Sequence, residues 1–357
     1  MAYKVIQWAS GGVGSPAIAA VAGRRNMSLA GLYVYSPEKV GKDAGTIAGV
    51  KKTGVIATDD MDKILKTKAD VVIHTPLPSV VWGDDPEADL DIICQLLASG
   101  KNVITTVGYM YPKFHGPRVV RKLNAACKKG GTTFHSTGSN PGWIGDLLPL
   151  TMSSLSNKID QVAVREISNF QHGEAPVIMF DIMGFGKTRA QFKKDSGRHA
   201  RWLTELFSES IQMVADGLGV KLDRISTKTT LSLATRNLKT GSGTIKKGTV
   251  AAQRWEWAGW VGRKKVITHE TIWRMHEAAA KDWPDGDHSV SIIGEPNIRI
   301  EIAGDWVDSM LDATALHAVN AIPHVCKAEP GIKTFLDLPW IMGKGLVHIS
   351  KNKTAKA

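Results

Sequence analysis

The sequence predicts an α/β protein: a Rossmann domain built on a doubly wound parallel sheet, followed by an α+β domain with a mainly antiparallel sheet. Three observations predict it. A short apolar strand over residues 3–8 breaks on the small residues Ala9, Ser10, Gly11, Gly12, Val13 and Gly14, then resumes at Pro16 as a run that propagates as helix. Strand and helix patterns then alternate to about residue 140, the order expected of a parallel sheet. Beyond Leu150 the alternation stops, and strand patterns gather around one long amphipathic helix.

In the first turn, Gly11 lets the chain reverse sharply and Gly14 lets the helix pack close to the strand. The amide groups of the first helical turn face outward as an anion site suited to a pyrophosphate. The usual fingerprint has three glycines, and the place of the first is taken here by Trp8 or Ala9. Residues 28–35 form the second strand. Its end selects the cofactor, because an acid there bonds the adenosine ribose and a basic or hydroxyl group accepts a 2′-phosphate. Ser36 and Lys39 favour NADP, Glu38 keeps NAD as the alternative, and Lys42 reads equally well as a solvated turn.

Residues 58–65 read as a capped helix whose aspartates oppose the helix dipole. The run 69–76 is an unalternating strand of the kind buried on both faces. A helix over 89–99 stops at Gly100, a strand covers 102–106, a helix over 117–129 stops at Gly130 and Gly131, and a strand covers 132–135. The pattern is counted as six strands over about 140 residues. In such a sheet the ligand crevice lies at the carboxyl ends of the strands. Those ends carry His74 and Thr75, Thr106 and Tyr109, His135, and the loop with Gly138, Asn140 and Gly142.

In the second half, residues 161–167 and 177–182 are expected as strands, and 199–218 as a helix stopped by Gly219. Trp255, Trp257 and Trp260 fall in one strand-like stretch broken at Gly259, and indoles this dense suit a core or interface. His269 and Glu270 are placed at the start of a helix running through Trp273 and His276; no third ligand accompanies them, so no metal is assigned. The domain boundaries follow as 1–150 for the nucleotide domain, 151–325 for the substrate and dimerisation domain, and 326–357 for a C-terminal segment with a disordered tail.

With 43% apolar and 22% charged residues the chain is an ordinary globular one, and its 357 residues suit two domains. No run is long and apolar enough for a membrane span, and no secretory leader pattern opens the chain, so a cytoplasmic protein is expected. Cys94, Cys127 and Cys326 are widely spaced and read as buried, inert thiols. The net charge of +11 is scattered, with small clusters and a lysine-rich tail over 351–356, and none is interleaved with aromatics. A phosphorylated cofactor accounts for that charge better than a nucleic acid does.

Together Val5 to Gly14, His135 to Trp143, Met183-Gly184-Phe185-Gly186, Ala315 to Pro323 and Leu336-Asp337-Leu338-Pro339 resemble the dihydrodipicolinate-reductase-like oxidoreductases, most closely the 2,4-diaminopentanoate dehydrogenases and native amine dehydrogenases. The resemblance covers nearly the whole chain. It implies a Rossmann domain, an α+β domain whose sheet forms a homodimer interface, and an active site in the cleft between them. It also implies hydride transfer between NAD(P)H and a carbon bound to nitrogen or oxygen, and a C-terminal segment that returns to the Rossmann domain. The paired histidines and adjacent lysine of dihydrodipicolinate reductases are absent, which argues against lysine biosynthesis.

The amine dehydrogenases carry a glutamate just after the fifth strand, where a carboxylate holds ammonia and moves protons. The matching stretch here, 105–112, places Tyr109 at that position, or Gly108 if the corner shifts by one. A phenol, with a reference pKa near 10, donates a proton more readily than it acts as a base. The expectation is therefore an NADP(H)-preferring reductase of a C=O or C=N group in a small, mainly apolar molecule, with Tyr109 as proton donor and His135 beside the nicotinamide or substrate. One alternative is an amine dehydrogenase in which Glu166 or Glu270 replaces the missing glutamate. Another is a cofactor-binding regulatory protein that has lost catalysis.

Overall fold

The computed structural model describes residues 2–173, 176–195, 197–305 and 309–346. Its first half runs β1 (Tyr3–Trp8), α1 (Gly14–Ala22), β2 (Met27–Tyr33), α2 (Ala44–Ile47), α3 (Met61–Lys66), β3 (Val71–His74), α4 (Ser79–Trp82), α5 (Ala88–Ala98), β4 (Asn102–Thr105), α6 (Gly116–Gly130) and β5 (Thr133–Ser136). Local chemistry sets these bounds. Asp60 caps α3 by accepting from the Lys63 amide. Pro117 sits in the first turn of α6, and Gly131 closes that helix at φ 65°, in the left-handed region.

The second half continues with α7 (Leu148–Ser153), β6 (Lys158–Asn169), α8 (Arg189–Asp195), α9 (Gly197–Gly217), β7 (Arg224–Leu233), β8 (Leu238–Thr240), β9 (Gly243–Ile245), β10 (Val250–Val261), β11 (Lys264–Arg274), β12 (His288–Glu295), β13 (Ile298–Ile302), α10 (Met310–Val325) and β14 (Gly331–Ile332).

The first sheet is parallel, in the order β2-β1-β3-β4-β5-β14. Its strands are apolar on both faces because both are covered. Val5, Val71, Ile73 and Ile104 pack under α1 and α10. Their neighbours Ile6, Val72 and Val103 pack under α3, α5 and α6 through Ile64, Ile93, Leu97 and Leu123. The second sheet, β13-β12-β6-β11-β10-β7, is antiparallel except where β6 runs parallel to β11. Trp257 stacks on Phe207 of α9, with centroids 4.1 Å apart, and so fastens that helix to one sheet face. The predicted architecture is present, and Trp255 and Trp257 are core residues.

Several expectations need correction. Only five strands of the first sheet come from the N-terminal half. The sixth is the two-residue β14, too short to carry a strand signal, so the corner over 105–112 follows the fourth strand. Residues 177–182 form a helical turn, not a strand; Pro176 has helical dihedrals at its start, and a short apolar run has no periodicity to separate the two states. His269 and Glu270 lie inside strand β11, where Thr268, Thr271 and Ile272 favour extended backbone and pairing with β6 and β10 holds it. Helix α10 precedes residue 326 yet packs on the first sheet, so the chain returns to that sheet earlier than the expected boundary. Of the cysteines, Cys127 is buried while Cys94 and Cys326 are partly exposed; all are free, and burial raises their thiols to about 11, 11 and 12. The lysine-rich tail lies outside the described residues.

Candidate active site

The glycine-rich turn fits a dinucleotide despite its missing first glycine. Ala9 adopts φ 72°, doing with a methyl side chain what glycine does at that point of the fingerprint. Gln7, fully buried, donates to the Ala9 carbonyl at 2.9 Å and to Thr75 Oγ1 at 2.8 Å, locking the turn to the end of β3. A Cβ on Gly14 would lie 2.2 Å from the Ala9 oxygen, so helix and turn meet too closely for any side chain there. A Cβ on Gly11 would meet nothing within 4 Å, which leaves an open backbone face beside the start of α1 for a phosphate. Lys39 Nζ donates to the Ser10 carbonyl at 3.1 Å and lies 3.3 Å from Ser10 Oγ, so the segment that follows β2 reaches the glycine-rich turn.

The remaining strand ends form a braced wall. His74 is fully buried, and its Nδ1 bonds Thr105 Oγ1 at 2.9 Å; burial lowers its pKa to about 3, so the ring stays neutral. The Thr106 amide donates to the His74 carbonyl. Beyond β5, Gly142 at φ 130° donates its amide to Asp146 Oδ2 at 2.6 Å, and Asn140 Nδ2 donates to Glu166 on β6. A Cβ on Gly138 would lie 2.8 Å from the Pro141 oxygen. His135 is enclosed within β5, its Nδ1 at 2.8 Å from the Lys333 carbonyl and its ring edge-on to Phe335. Burial lowers its pKa to about 4, and it does not line the cavity described next.

Between the ends of β3 and β4 and the face of α9 lies a cavity of about 320 Å³. Val80, Leu90, Val107, Val119, Trp202 and Leu206 give it apolar walls. Glu87, Asp89, Tyr109, His115, Glu205 and Glu209 supply polar groups, and the exposed Arg118 and Arg201 also line it. The corner beside it is conformationally unusual, with Gly108 at φ 130° and Tyr109 at φ 60°, a region that non-glycine residues seldom occupy. Ser136 Oγ holds the corner by donating to the Gly108 carbonyl at 2.6 Å. Burial, and then the charges of Asp89, Glu209, Glu87 and Glu205, raise the Tyr109 phenol well above its ordinary value, so it stays protonated.

Helix α9 is fastened across this cavity to the first domain. Trp202 Nε1 donates to the Val107 carbonyl at 3.2 Å, and Arg198 donates to the carbonyls of Val80 and Gly83. Glu209 is 1% exposed; its Oε2 accepts from the Tyr111 amide at 3.2 Å and lies 3.0 Å from His115 Nε2. Burial lowers the His115 pKa, but the hydrogen bond and charge of Glu209 outweigh it and the net shift is upward. A histidine raised in this way stabilises the fold below its unfolded value, near 6.5, and that contribution fades as the pH rises through the folded value. The melting-temperature advantage of the parent over His115→Asn is therefore expected to be largest below pH 6.5 and to shrink above it. An advantage that grows with pH in a melting series would show that this pair carries no charge.

Glu209, Glu205, His115, Asp89 and Trp202 were not singled out by the sequence. One signal was present: Glu209 falls among Leu206, Phe207, Ile211 and Met213 on the apolar stripe of α9, where a carboxylate is costly unless it has a purpose. The carboxylates that were considered are committed elsewhere. Glu166 accepts from Trp273 Nε1, Ser168 Oγ and Asn140, while Glu270 pairs with Arg165 and Arg254.

A Rossmann turn of this geometry, joined to an antiparallel-sheet domain across an acid-lined cavity, defines a two-domain nicotinamide-dependent oxidoreductase. Residues 143–352 match the 2,4-diaminopentanoate dehydrogenase C-terminal domain, and residues 5–83 match the N-terminus of dihydrodipicolinate reductase. An amine dehydrogenase of Streptomyces virginiae is 31% identical over 94% of this chain and 96% of its own length. The 2,4-diaminopentanoate dehydrogenase of Acetoanaerobium sticklandii is 29% identical over 67% of this chain and 66% of its own. The chain belongs to this family of amine and diaminopentanoate dehydrogenases. Among solved structures, the amine dehydrogenase of Mycobacterium smegmatis shares the fold with a TM-score of 0.77 at 22% identity, over 95% of this chain and 97% of that one. Among the described residues no helix is long and apolar enough to cross a membrane.

Proposed function

We propose that this chain is an NADP(H)-preferring amine dehydrogenase, moving a hydride between the cofactor and a nitrogen-bearing carbon of a small molecule with an apolar body. The acid-lined cavity carries this reading. In a chain of net charge +11, Asp89, Glu205 and Glu209 gather around one space beside Tyr109; of the two arginines that also line it, Arg118 is paired with Glu87 and Arg201 is exposed to solvent, so the field favours an ammonium over a carboxylate. The apolar walls suit the rest of such a substrate. A nicotinamide held there would supply or accept the hydride. The turn over Gly11 to Gly14 would hold its pyrophosphate, Ser36 and Lys39 a 2′-phosphate, and the loop with Gly138, Asn140 and Gly142, next to the braces His74, Thr75 and Thr106, would take the nicotinamide end. Tyr109, kept protonated, donates to the oxygen that leaves the substrate. His135 keeps a supporting place beneath the loop.

A second reading, a carbonyl reductase that needs no ammonia, is favoured by the corner 105–112, where the resemblance implies a glutamate and this chain has Tyr109, or Gly108 if the corner shifts by one. Oxidation of NADPH with a panel of ketones and aldehydes separates the two. Rates that rise and saturate with ammonium support the amine reading, and rates indifferent to ammonium overturn it.

Cofactor choice has its own test. Lys39→Ala is expected to weaken NADPH binding about 10-fold and NADH binding less than about 2-fold, as loss of one charge-assisted phosphate contact requires. Tryptophan fluorescence titration reads both. Equal weakening would mean that Lys39 only braces Ser10. For the assembly, the reading is a homodimer through the sheet face opposite α9, where half-exposed Arg165 and Arg254 flank Glu270; light scattering of the purified chain checks it.

A further inference from the structure

Building an amine from a carbonyl requires a group that holds ammonium and takes protons from it. The corner after β4 offers only a phenol. We propose that Glu209 of α9, with His115 as its proton partner, is the ammonium-binding base of this enzyme; the proposal rests on the amine dehydrogenase reading and deepens it. The required carboxylate then comes from the second domain, across the cavity from the corner.

Three observations converge on Glu209. It lines the same cavity as Tyr109. Only one of its oxygens is satisfied: Oε2 takes the Tyr111 amide and His115, while Oε1 is buried with no hydrogen-bond partner. A buried carboxylate oxygen left in that state is costly in a native fold unless a ligand donor completes it. Third, Oε1 faces the Gly108–Tyr109 corner, where a Cβ on Gly108 would lie 3.7 Å from it. The surroundings favour a cation. Glu205 lies one turn away on α9 and Asp89 comes from the α5 side; Arg118 of α6 and Glu87 offset each other as an ion pair, and Arg201, which also lines the cavity, is exposed to solvent. The Tyr109 ring packs against His115 with centroids 5.0 Å apart.

The chemistry balances. An ammonium bound at Oε1 loses one proton to the carboxylate, and the electron pair of the broken N–H bond stays on nitrogen. That pair forms the bond to the carbonyl carbon as the C=O π pair moves to oxygen. The nitrogen loses a second proton, and Glu209 and His115 take up both protons from it. The departing oxygen gains two, the last handed over by the Tyr109 phenol, which is reprotonated from that pair. The oxygen leaves as water with the C–O bonding pair while the nitrogen lone pair forms the C=N bond of an iminium, the acceptor of the hydride. Glu209 ends as the carboxylate it began as.

The test uses the full-length protein at pH 7. Calorimetry with n-butylammonium chloride, against n-butanol as the neutral probe, measures the cation site without turnover, and steady-state kinetics give the KM for ammonium. Glu209→Gln is expected to weaken butylammonium binding and raise the ammonium KM by about 10-fold or more, with NADPH affinity unchanged. His115→Asn is expected to hold the ammonium KM within about 3-fold but lower kcat by about 10-fold or more and shift its pH profile. Parent-like butylammonium binding in a folded Glu209→Gln protein overturns the proposal. If that variant does not fold, Glu209→Asp keeps the charge on a shorter arm, and a parent-like ammonium KM there overturns it equally. Ammonia-dependent turnover that ignores Glu209 keeps the amine reading and removes this base. Butylammonium binding that needs Glu209, without ammonia-dependent turnover, keeps the cation site and removes the amine reading.

Discussion

Gly14→Ala is expected to cost about 3 kcal/mol of stability and to abolish measurable binding of the nicotinamide cofactor. The new Cβ would lie 2.2 Å from the Ala9 oxygen and 2.8 Å from its carbonyl carbon, and backbone cannot swing aside as a side-chain end can. Ala9 is held already at φ 72°, and the Gln7 amide that clamps its carbonyl would itself be only 3.1 Å from the methyl group. Relief must come from moving the start of α1 away from β1, which displaces the amide groups that face the pyrophosphate. Gly11→Ala is the contrast. Its Cβ meets nothing within 4 Å, so stability should change by less than about 1 kcal/mol while cofactor binding weakens, because the methyl group takes the space a phosphate needs. Urea unfolding and cofactor titration of the two variants give a fourfold comparison. A Gly14→Ala protein as stable as Gly11→Ala would mean that the close approach of helix and turn is not what this glycine serves.

The turn was legible in the sequence because its physics is local. Strand, small residues and helix follow one another within about 20 residues, and Ala9 could stand in for glycine because the neighbouring strands hold its dihedral. The sheet was legible for a similar reason: strands such as Val71–His74 are apolar on both faces, and that pattern survives without knowledge of partners. What failed depended on distant contacts. Strand β11 carries His269 and Glu270 in an order that suits a helix face as well as a strand, and only pairing with β6 and β10 decides between them. The acid cavity was hidden for the same reason. Glu209 follows Asp89 and His115 by about a hundred residues and meets them because α9 crosses from one domain to the corner of the other, a junction that no local period encodes. The misplaced carboxylate on the α9 stripe was the one local trace of it.

Tyr109→Phe is expected to lower kcat by about 100-fold with little change in the KM for either substrate. Phenylalanine keeps the ring, its packing on His115 and its volume, so only the phenolic proton is removed. Tyrosine at φ 60° is an uncommon and slightly costly arrangement, and the corner spends that cost in presenting the side chain to the cavity. Raised by burial and by four surrounding carboxylates, the phenol stays neutral through and beyond the ordinary tyrosine range. The pH profile of the parent should therefore show no limb from Tyr109 below pH 10. Any limb near neutrality belongs to other groups, and His115 beside Glu209 is the candidate, its pKa raised above the ordinary value. Phe at this position should thus lower the whole profile without moving its limbs. A rate within a few-fold of the parent would mark Tyr109 as a wall of the cavity, with proton donation passing to the Glu209 and His115 pair. A lowered profile with displaced limbs would mean instead that the phenol tunes His115 through their ring contact.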